Sequence, residues 1–298
     1  MDSRQIVSTL ATNHALKDLK IFLKSLMLWP NLPTVYLYAD KQIVEALPSI
    51  GYKGKLFVKE ALNNYSGKTR QEMERVPGAI FGKSLWFEFQ MEKLSLLEWA
   101  FASVPEATKT GVFYLDSDIC FFKSVPAVSP SYDVALSPHR IRTRDEALYG
   151  KYNAGYLWVR TPEAVAAWRA ACATSRFFEQ AALEIFDSEE WVSRTHILPT
   201  EMNYGWWRMF QGEIAPADLQ REWTLFRNQE HSGILVGGAP LASVHTHWTT
   251  GDPMTQRFNT FIMTMLAKLA PSHPSARKML ALPASGHVLG HREPATPW

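Results

Sequence analysis

Residues 111–122 read Gly111-Val112-Phe113-Tyr114-Leu115-Asp116-Ser117-Asp118-Ile119-Cys120-Phe121-Phe122, an apolar run of strand length that ends in two aspartates one residue apart. Side chains two positions apart on a strand point to the same side, so the carboxylates of Asp116 and Asp118 converge if the strand continues between them. Like charges held this close repel, which favours a proton kept by one carboxyl or a cation between the two. Carboxylate oxygens suit magnesium, manganese or calcium. The stretch therefore predicts a strand that ends at a cation site, with a polar turn capped by the aspartates as the alternative.

The segments before this stretch alternate between strand-like and helix-like patterns. Short apolar runs at residues 6–11, 34–39 and 55–58 predict strands, and apolar residues at helical spacing over 15–28, 41–47 and 85–101 predict helices. This alternation is typical of a parallel α/β sheet. Ligands of such a sheet gather beyond the carboxyl ends of its strands, where the aspartate pair would lie. We therefore predict an α/β fold with a mostly parallel central sheet flanked by helices.

Composition and charge set broad limits on the function. The chain has 298 residues, of which 46% are hydrophobic and 20% charged, as in an ordinary soluble globular protein. Its net charge of +2 does not indicate a strong preference for nucleic acid. The two cysteines, Cys120 and Cys172, form neither a disulfide framework nor a metal-binding pattern. The sequence shows no signal-peptide core and no apolar run near the ~20 residues of a membrane span, so we expect a cytoplasmic protein.

The residues after the aspartate pair contain two further patterns that suit a site. Residues 152–159 (YNAGYLWV) predict a strand that begins with the small-residue notch Asn153-Ala154-Gly155. Residues 242–247 (ASVHTH) predict a short strand on which His245 and His247 would share a face. Residues 271–298 contain five prolines, two glycines and three histidines. This composition predicts a tail that is draped over the body or partly disordered.

Taken in order, these patterns resemble those of the GT-A glycosyltransferases, nucleotide-diphospho-sugar transferases with "YLDxD", "xNAGxL" and a late "VHxxW" motif. The matching stretches are 114–118, 152–157 and 244–248, and the resemblance covers roughly residues 5 to 265. It implies a single GT-A (Rossmann-like) domain over residues 1–270, with a nucleotide-binding half at 1–125. Residues 126–270 would bind the acceptor and complete the metal site, and residues 271–298 would form the tail.

The resemblance implies a metal ion, Mn²⁺ or Mg²⁺, at the aspartate motif. Asp118 would bind the ion directly, while Asp116 would reach the ribose, the ion or both. His245 matches the late histidine that completes the metal site in such families. His247 lies two residues further along and is an alternative ligand. The competing interpretation is that either histidine is simply a satisfied polar residue.

The resemblance also implies which residues contact the nucleotide-diphosphate sugar. They are Thr9, Ala11, Thr12, Asn13, Lys93, Asp116, Ser117, Asp118, Asn153, Ala154 and Gly155. Lys93 and Lys83 are candidates to reach the diphosphate. Thr12 and Asn13 would alternatively cap the following helix, and Lys93 would alternatively lie on a solvated helix face.

We expect the catalytic residues to lie beside the anomeric carbon, the sugar carbon that is bonded to the phosphate. Breaking the sugar–phosphate bond makes this carbon oxocarbenium-like, so a carboxylate or amide beside it can stabilise it or act as a nucleophile. Related families carry an acidic or amide residue beyond the "NAG" motif. Glu179 and Gln180 match this position best, and Asp187 and Glu201 are also available. The resemblance favours retention; in an inverting enzyme one of these groups would instead deprotonate the acceptor.

The predicted function is transfer of a sugar from a nucleotide-diphosphate sugar, with UDP-sugars favoured, to an acceptor hydroxyl. The acceptor would be a glycan or lipopolysaccharide, a protein, or a modified nucleic-acid base. Tyr204, Trp206 and Trp207 would form an acceptor platform or pack in the core. A haloacid-dehalogenase-type phosphatase also uses Asp-x-Asp, but Cys120 stands where its motif has Thr or Val. A catalytically inactive GT-A-like domain that binds a sugar or a protein is the other alternative.

Overall fold

The structure is a computed structural model that describes residues 5–104, 107–227 and 232–284. Within these residues the chain divides into two compact units. Unit 1 contains residues 5–16, 31–104, 107–117 and 127–198, and unit 2 contains residues 17–30, 118–126, 199–227 and 232–284. The chain passes from unit 1 to unit 2 between Ser117 and Asp118, so the division falls inside the aspartate motif.

The strands and helices are numbered separately along the chain. The strands are β1 (Ile6–Ala11), β2 (Thr34–Ala39), β3 (Leu56–Glu60), β4 (Val112–Leu115), β5 (Ile119–Phe121), β6 (Val134–Pro138), β7 (Tyr152–Val159), β8 (Thr195–Ile197), β9 (Tyr204–Gly205), β10 (Trp223–Arg227), β11 (Ser232–Val236), β12 (Ala239–Pro240) and β13 (Ser243–His245). The helices are α1 (Leu16–Leu26), α2 (Lys41–Ile50), α3 (Arg70–Arg75), α4 (Leu85–Ser103), α5 (Ala107–Thr110), α6 (Thr143–Tyr149), α7 (Pro162–Cys172), α8 (Trp206–Phe210), α9 (Pro216–Arg221), α10 (Pro253–Leu269) and α11 (Pro274–Ala284).

Unit 1 is built on a seven-stranded sheet in the order β3-β2-β1-β4-β7-β6-β8. Strands β1 to β4 are parallel, β7 is antiparallel to both of its neighbours, and β6 and β8 are parallel. The predicted α/β class with a mostly parallel sheet is therefore confirmed. The antiparallel β7 carries the Asn153-Ala154-Gly155 notch and lies directly beside β4, which leads into the aspartate motif.

The core of unit 1 lies between the sheet and α4, which packs against β1, β2, β4 and α7. Phe87, Leu94 and Leu97 of this helix are fully buried. The chain enters β4 through Gly111, whose φ is +71° and whose Cα lies against the Trp158 indole. A Cβ at Gly111 would lie 2.2 Å from a ring atom, so only glycine fits here.

Unit 2 contains two small sheets and the C-terminal helices. β13 is antiparallel to β5 and parallel to β9, and β10, β11 and β12 form an antiparallel sheet. α10 packs against α8, α11 and β11. The rings of Tyr204, Trp223 and Phe258 pack together in this core, with the Tyr204 and Trp223 centroids 4.7 Å apart.

Some elements differ from the sequence prediction. The strand ends at Leu115 and a new one begins at Ile119, because Asp116 to Asp118 form a turn. The long polar connection before α4 contains α3, whose N-terminus is fixed by a capping box between Thr69 and Glu72. Within the predicted tail, Pro274–Ala284 is helical, and residues from 285 onward lie outside the described residues. In the part of the chain that the structure describes, no helix has the length and apolar character needed to cross a bilayer.

Candidate functional site

Unit 1 buries a lysine between two carboxylates at the end of β4. The Lys93 side chain is only 7% exposed, and its Nζ lies 2.7 Å from Glu179 Oε1 and 3.7 Å from Asp116 Oδ1. The Tyr114 hydroxyl donates a hydrogen bond of 2.8 Å to Asp116 Oδ1. Lys93 therefore lies on an inward face of α4 and not on a solvated one, and two groups fix the orientation of the Asp116 carboxylate.

Glu179 is held as firmly as its partner. Its side chain is 4% exposed, and its main-chain carbonyl accepts a hydrogen bond of 2.7 Å from Trp168 Nε1. Burial raises the pKa of the Glu179 carboxyl, against the opposing effect of the Lys93 charge and hydrogen bond. The Glu179 side chain therefore belongs to the interior of unit 1.

The notch on β7 contacts both the aspartate motif and Gln180. The Gly155 carbonyl accepts a hydrogen bond of 2.8 Å from the Asp116 backbone N–H, and the Gly155 N–H donates to Asn153 Oδ1 at 3.2 Å. Gln180 Oε1 lies 3.5 Å from the Ala154 nitrogen, and its Nε2 donates to the Tyr149 carbonyl at 2.8 Å. Unit 1 thus brings five predicted positions together around one strand end.

His139, which the sequence did not single out, orients the amide of Asn153. Its Nδ1 lies 3.0 Å from the Gly150 carbonyl, which can only accept, so the ring proton is on Nδ1. Its Nε2 then accepts from Asn153 Nδ2 at 3.3 Å, which leaves Asn153 Oδ1 facing Gly155. His139 is buried at the end of β6, where the two strands meet.

The predicted nucleotide residues lie where β1 ends. Thr9 is fully buried, and its hydroxyl has no hydrogen-bond partner among the described residues. Thr12 occupies the cap position of a short 3-10 helix but makes no side-chain cap bond. Asp40 ties this region together, because it accepts from the Asn13 N–H and the Ser66 hydroxyl, both at 2.7 Å. Asp40 also caps α2 through Ile43, which explains its burial.

In unit 2, Asp118 lies between two histidines. Its Oδ1 is 2.9 Å from His245 Nε2, and its Oδ2 is 3.2 Å from His247 Nδ1. His245 is the last residue of β13 and pairs with Ile119 of β5, so the strand register places it beside Asp118. The side chains of Asp118 and His245 are 11% and 5% exposed, whereas that of His247 is 37% exposed.

The electrostatics of this cluster favour an ionised Asp118. Burial alone would raise the pKa of the Asp118 carboxyl, but the charges of His245 and His247 and a hydrogen bond to His245 outweigh it and lower the pKa. The Trp207 ring packs edge-on against the His245 imidazole, with centroids 4.9 Å apart. A buried carboxylate oxygen and a buried imidazole nitrogen therefore face each other, and each offers a ligand atom to a cation.

Three further predicted residues, Glu201, Asp187 and Lys83, have the following positions and contacts. Glu201 lies in unit 2 on the 3-10 helix Thr200–Met202, and Asp187 accepts from the Tyr152 hydroxyl at 2.5 Å and from Lys151 Nζ at 3.0 Å. Lys83 Nζ donates to the Cys172 and Ser175 carbonyls at the end of α7, so it serves the helix terminus.

Of the two interpretations given for Tyr204, Trp206 and Trp207, the structure supports packing in the core rather than an acceptor platform. These rings are buried in unit 2, where Tyr204 packs on Trp223 and Trp207 on His245. Both cysteines are buried free thiols, and burial raises the pKa of each thiol to about 12.

Similar solved structures identify the fold of this chain. No protein-family model matches this chain, and no curated protein sequence matches it. Among solved structures, it is similar to the galactosyltransferase LgtC in complex with donor and acceptor sugar analogues, with a TM-score of 0.55, 12% identity, and coverage of 96% of this chain and 98% of that one. The chain has the GT-A fold. It is also similar to the bifunctional glycosyltransferase WbbM, with a TM-score of 0.50, 10% identity, and coverage of 94% of this chain and 51% of that one.

Proposed function

We propose that this chain is a metal-dependent glycosyltransferase that moves a sugar from a nucleotide-diphosphate sugar to an acceptor hydroxyl. The observation that carries the proposal is the buried Asp118–His245 pair, at 2.9 Å, directly after the turn that begins with Asp116. A carboxylate and an imidazole in a chain with the GT-A fold are a donor set for a divalent ion. The similar protein LgtC is a galactosyltransferase solved with donor and acceptor sugar analogues, which supports this assignment.

In this proposal Asp118 and His245 hold the metal ion, and Asp116 remains the further ligand that the sequence motif predicts. Carboxylate oxygens suit Mg²⁺ and Mn²⁺, and the imidazole nitrogen favours Mn²⁺ of the two. When bound, the ion would neutralise the negative charge that develops on the departing diphosphate. Tyr114 and Lys93 keep the Asp116 carboxylate in one orientation for this task.

The sugar would lie against the β7 notch in unit 1. Gly155 carries no side chain at this strand end, and we place the Asn153 amide, fixed by His139, against a sugar hydroxyl. Gln180 is half-buried with its Oε1 beside Ala154, so its amide is the group we place beside the anomeric carbon. Glu179, the preceding residue, is held in the interior by its ion pair with Lys93.

The finer features of the reaction are also proposals. We infer a UDP-sugar donor bound by the Thr9 to Asn13 segment and transfer with retention, with an acceptor hydroxyl on a glycan. A protein or a modified nucleic-acid base are the other acceptor classes to test. A cytoplasmic location stays a prediction.

Turnover with water as the acceptor tests the proposal without knowledge of the true acceptor. The wild type is incubated with Mn²⁺ and a panel of UDP- and GDP-sugars, and the released nucleoside diphosphate is measured. We expect slow release from one donor class, loss of release with a chelator, and loss by at least tenfold in Asp118→Asn.

The matched control is Asp218→Asn, because Asp218 is an exposed aspartate of the same unit that pairs with Arg221. It should release the diphosphate at the wild-type rate. If no donor is consumed while a nucleotide sugar still binds, the inactive GT-A-like binding domain becomes the better description. Consumption that is unaffected by chelator would contradict the metal dependence.

A further inference from the structure

A third carboxylate, Asp18, contacts the histidine cluster of unit 2. It lies in the first turn of α1 and is buried, with its side chain 10% exposed. Its Oδ1 accepts from the Trp248 backbone N–H at 3.2 Å, and its Oδ2 lies 3.2 Å from His247 Nδ1. Both carboxylate oxygens therefore face the residues that follow β13.

One ring nitrogen of His247 is shared by two carboxylates. Nδ1 lies 3.2 Å from Asp18 Oδ2 and 3.2 Å from Asp118 Oδ2. A hydrogen on Nδ1 can contact both carboxylates, which accept hydrogen bonds through their oxygens. His247 Nδ1 thus faces two carboxylate oxygens, whereas His245 Nε2 faces the opposite oxygen of Asp118.

Hydrogen bonds of the main chain after β13 hold His245 and His247 in different positions relative to Asp118. β13 ends at His245, so His247 does not share its strand face, contrary to the sequence argument. The Thr246 N–H donates to the Asp118 carbonyl at 3.1 Å, and the Asn259 amide of α10 donates to the His247 carbonyl at 3.0 Å. His245 and His247 thus approach Asp118 from two fixed points, one to each carboxylate oxygen.

We propose that Asp18 and His247 are positioning residues that hold the Asp118 carboxylate for a divalent cation bound by Asp118 and His245. His247 bridges Asp18 and Asp118 through Nδ1–H, which keeps two buried carboxylates together and leaves Asp118 Oδ1 directed at His245. Partners of metal ligands that act in this way typically contribute 10- to 100-fold to metal affinity. The inference rests on the proposed function for the presence of the cation.

The experiment measures Mn²⁺ binding from the electron paramagnetic resonance signal of free Mn²⁺, with and without UDP. We compare the wild type with His245→Ala, His247→Ala, His247→Asn and Asp18→Asn. His245→Ala should lose detectable binding, and His247→Ala and Asp18→Asn should weaken it 10- to 100-fold. His247→Asn should recover to within a few-fold of the wild type, because the asparagine Nδ2–H replaces the Nδ1–H donor.

The control is His273→Asn, which alters a histidine of the same unit that caps α11 and should leave Mn²⁺ affinity unchanged. Thermal unfolding without metal identifies any variant that fails to fold. Wild-type affinity in both His247→Ala and Asp18→Asn would overturn the positioning role alone. Complete loss in His247→Ala with binding retained in His245→Ala would make His247 the ligand. If the wild type binds no Mn²⁺, the metal site of the proposed function fails, and the positioning role fails with it.

Discussion

Unit 1 buries an ion pair, between Lys93 and Glu179, in its interior. Both side chains are almost fully buried, and their charged atoms are 2.7 Å apart. Removing water from a charge is costly, so each group is tolerated only because the other compensates it. The Asp116 carboxylate lies 3.7 Å from Lys93 Nζ, so a change in this pair also changes the charge beside Asp116.

Replacing Lys93 should therefore lower the free energy of unfolding, because the buried Glu179 carboxyl loses the charge that compensates it. Lys93→Met removes the group that opposes the raised pKa of Glu179, so this pKa should rise further. A carboxyl whose pKa is higher in the folded than in the unfolded state keeps its proton longer when folded. The free energy of unfolding then falls as pH rises between the two pKa values. We expect a loss of about 3–5 kcal/mol near neutral pH, with part of it recovered at acidic pH.

Urea unfolding between pH 4.5 and 7.5 measures this change. The control is Lys17→Met, which removes an exposed lysine and should shift the free energy of unfolding by no more than about 0.5 kcal/mol. A loss in Lys93→Met that is independent of pH would contradict the assignment of the cost to Glu179.

At the scale of elements, the contact between β9 and α8 fixes the histidine of the candidate metal site. Gly205 is the β9 residue that pairs with His245, and it lies directly against the Trp207 indole of α8. A Cβ built on Gly205 would be 2.1 Å from an indole atom of Trp207, whose ring packs on the His245 imidazole. The absence of a side chain at Gly205 thus allows the two elements to pack closely around His245.

Gly205→Ala should displace the Trp207 ring and disturb His245. We expect a loss of about 1–3 kcal/mol in the free energy of unfolding, as for overpacked cores, together with weaker Mn²⁺ binding. The double variant Gly205→Ala/Trp207→Phe should recover part of both, since phenylalanine lacks the larger indole. Calorimetry and Mn²⁺ titration measure the two effects. Additive losses in the double variant would show that the two residues do not act through this contact.

The elements also show what the sequence could and could not predict. Hydrophobic periodicity predicted β1, β2, β4, β7 and α4, because each buries a face in one core. It predicted the turn at Asp116 to Asp118 only as an alternative, since the apolar residues on both sides suggested a strand that continues through the motif. Asp118 and His245 were both among the predicted metal ligands, but their proximity comes from the β5–β13 register rather than from one continuous strand.

At the scale of the whole molecule, contacts between distant positions are what the sequence could not provide. Asp18 and His247 are 229 positions apart, and no spacing rule relates them. The contacts of His139 and Asp40 were not predicted either. A single buried histidine or a strand-end aspartate has no distinctive sequence pattern. The division into two units was equally hidden, since unit 2 is assembled from three separate parts of the chain.

We propose that Asp118 belongs to a metal-dependent site for a nucleotide. Thermal unfolding of the wild type and of Asp118→Asn, with UDP or GDP in the presence and absence of Mn²⁺, tests it most directly. A ligand that binds only the folded state at 100 times its Kd adds about 2.7 kcal/mol to the free energy of unfolding. We predict that one nucleotide raises the Tm of the wild type only with Mn²⁺, and that Asp118→Asn loses this shift. A wild type whose Tm responds to no nucleotide, with or without Mn²⁺, would contradict the claim.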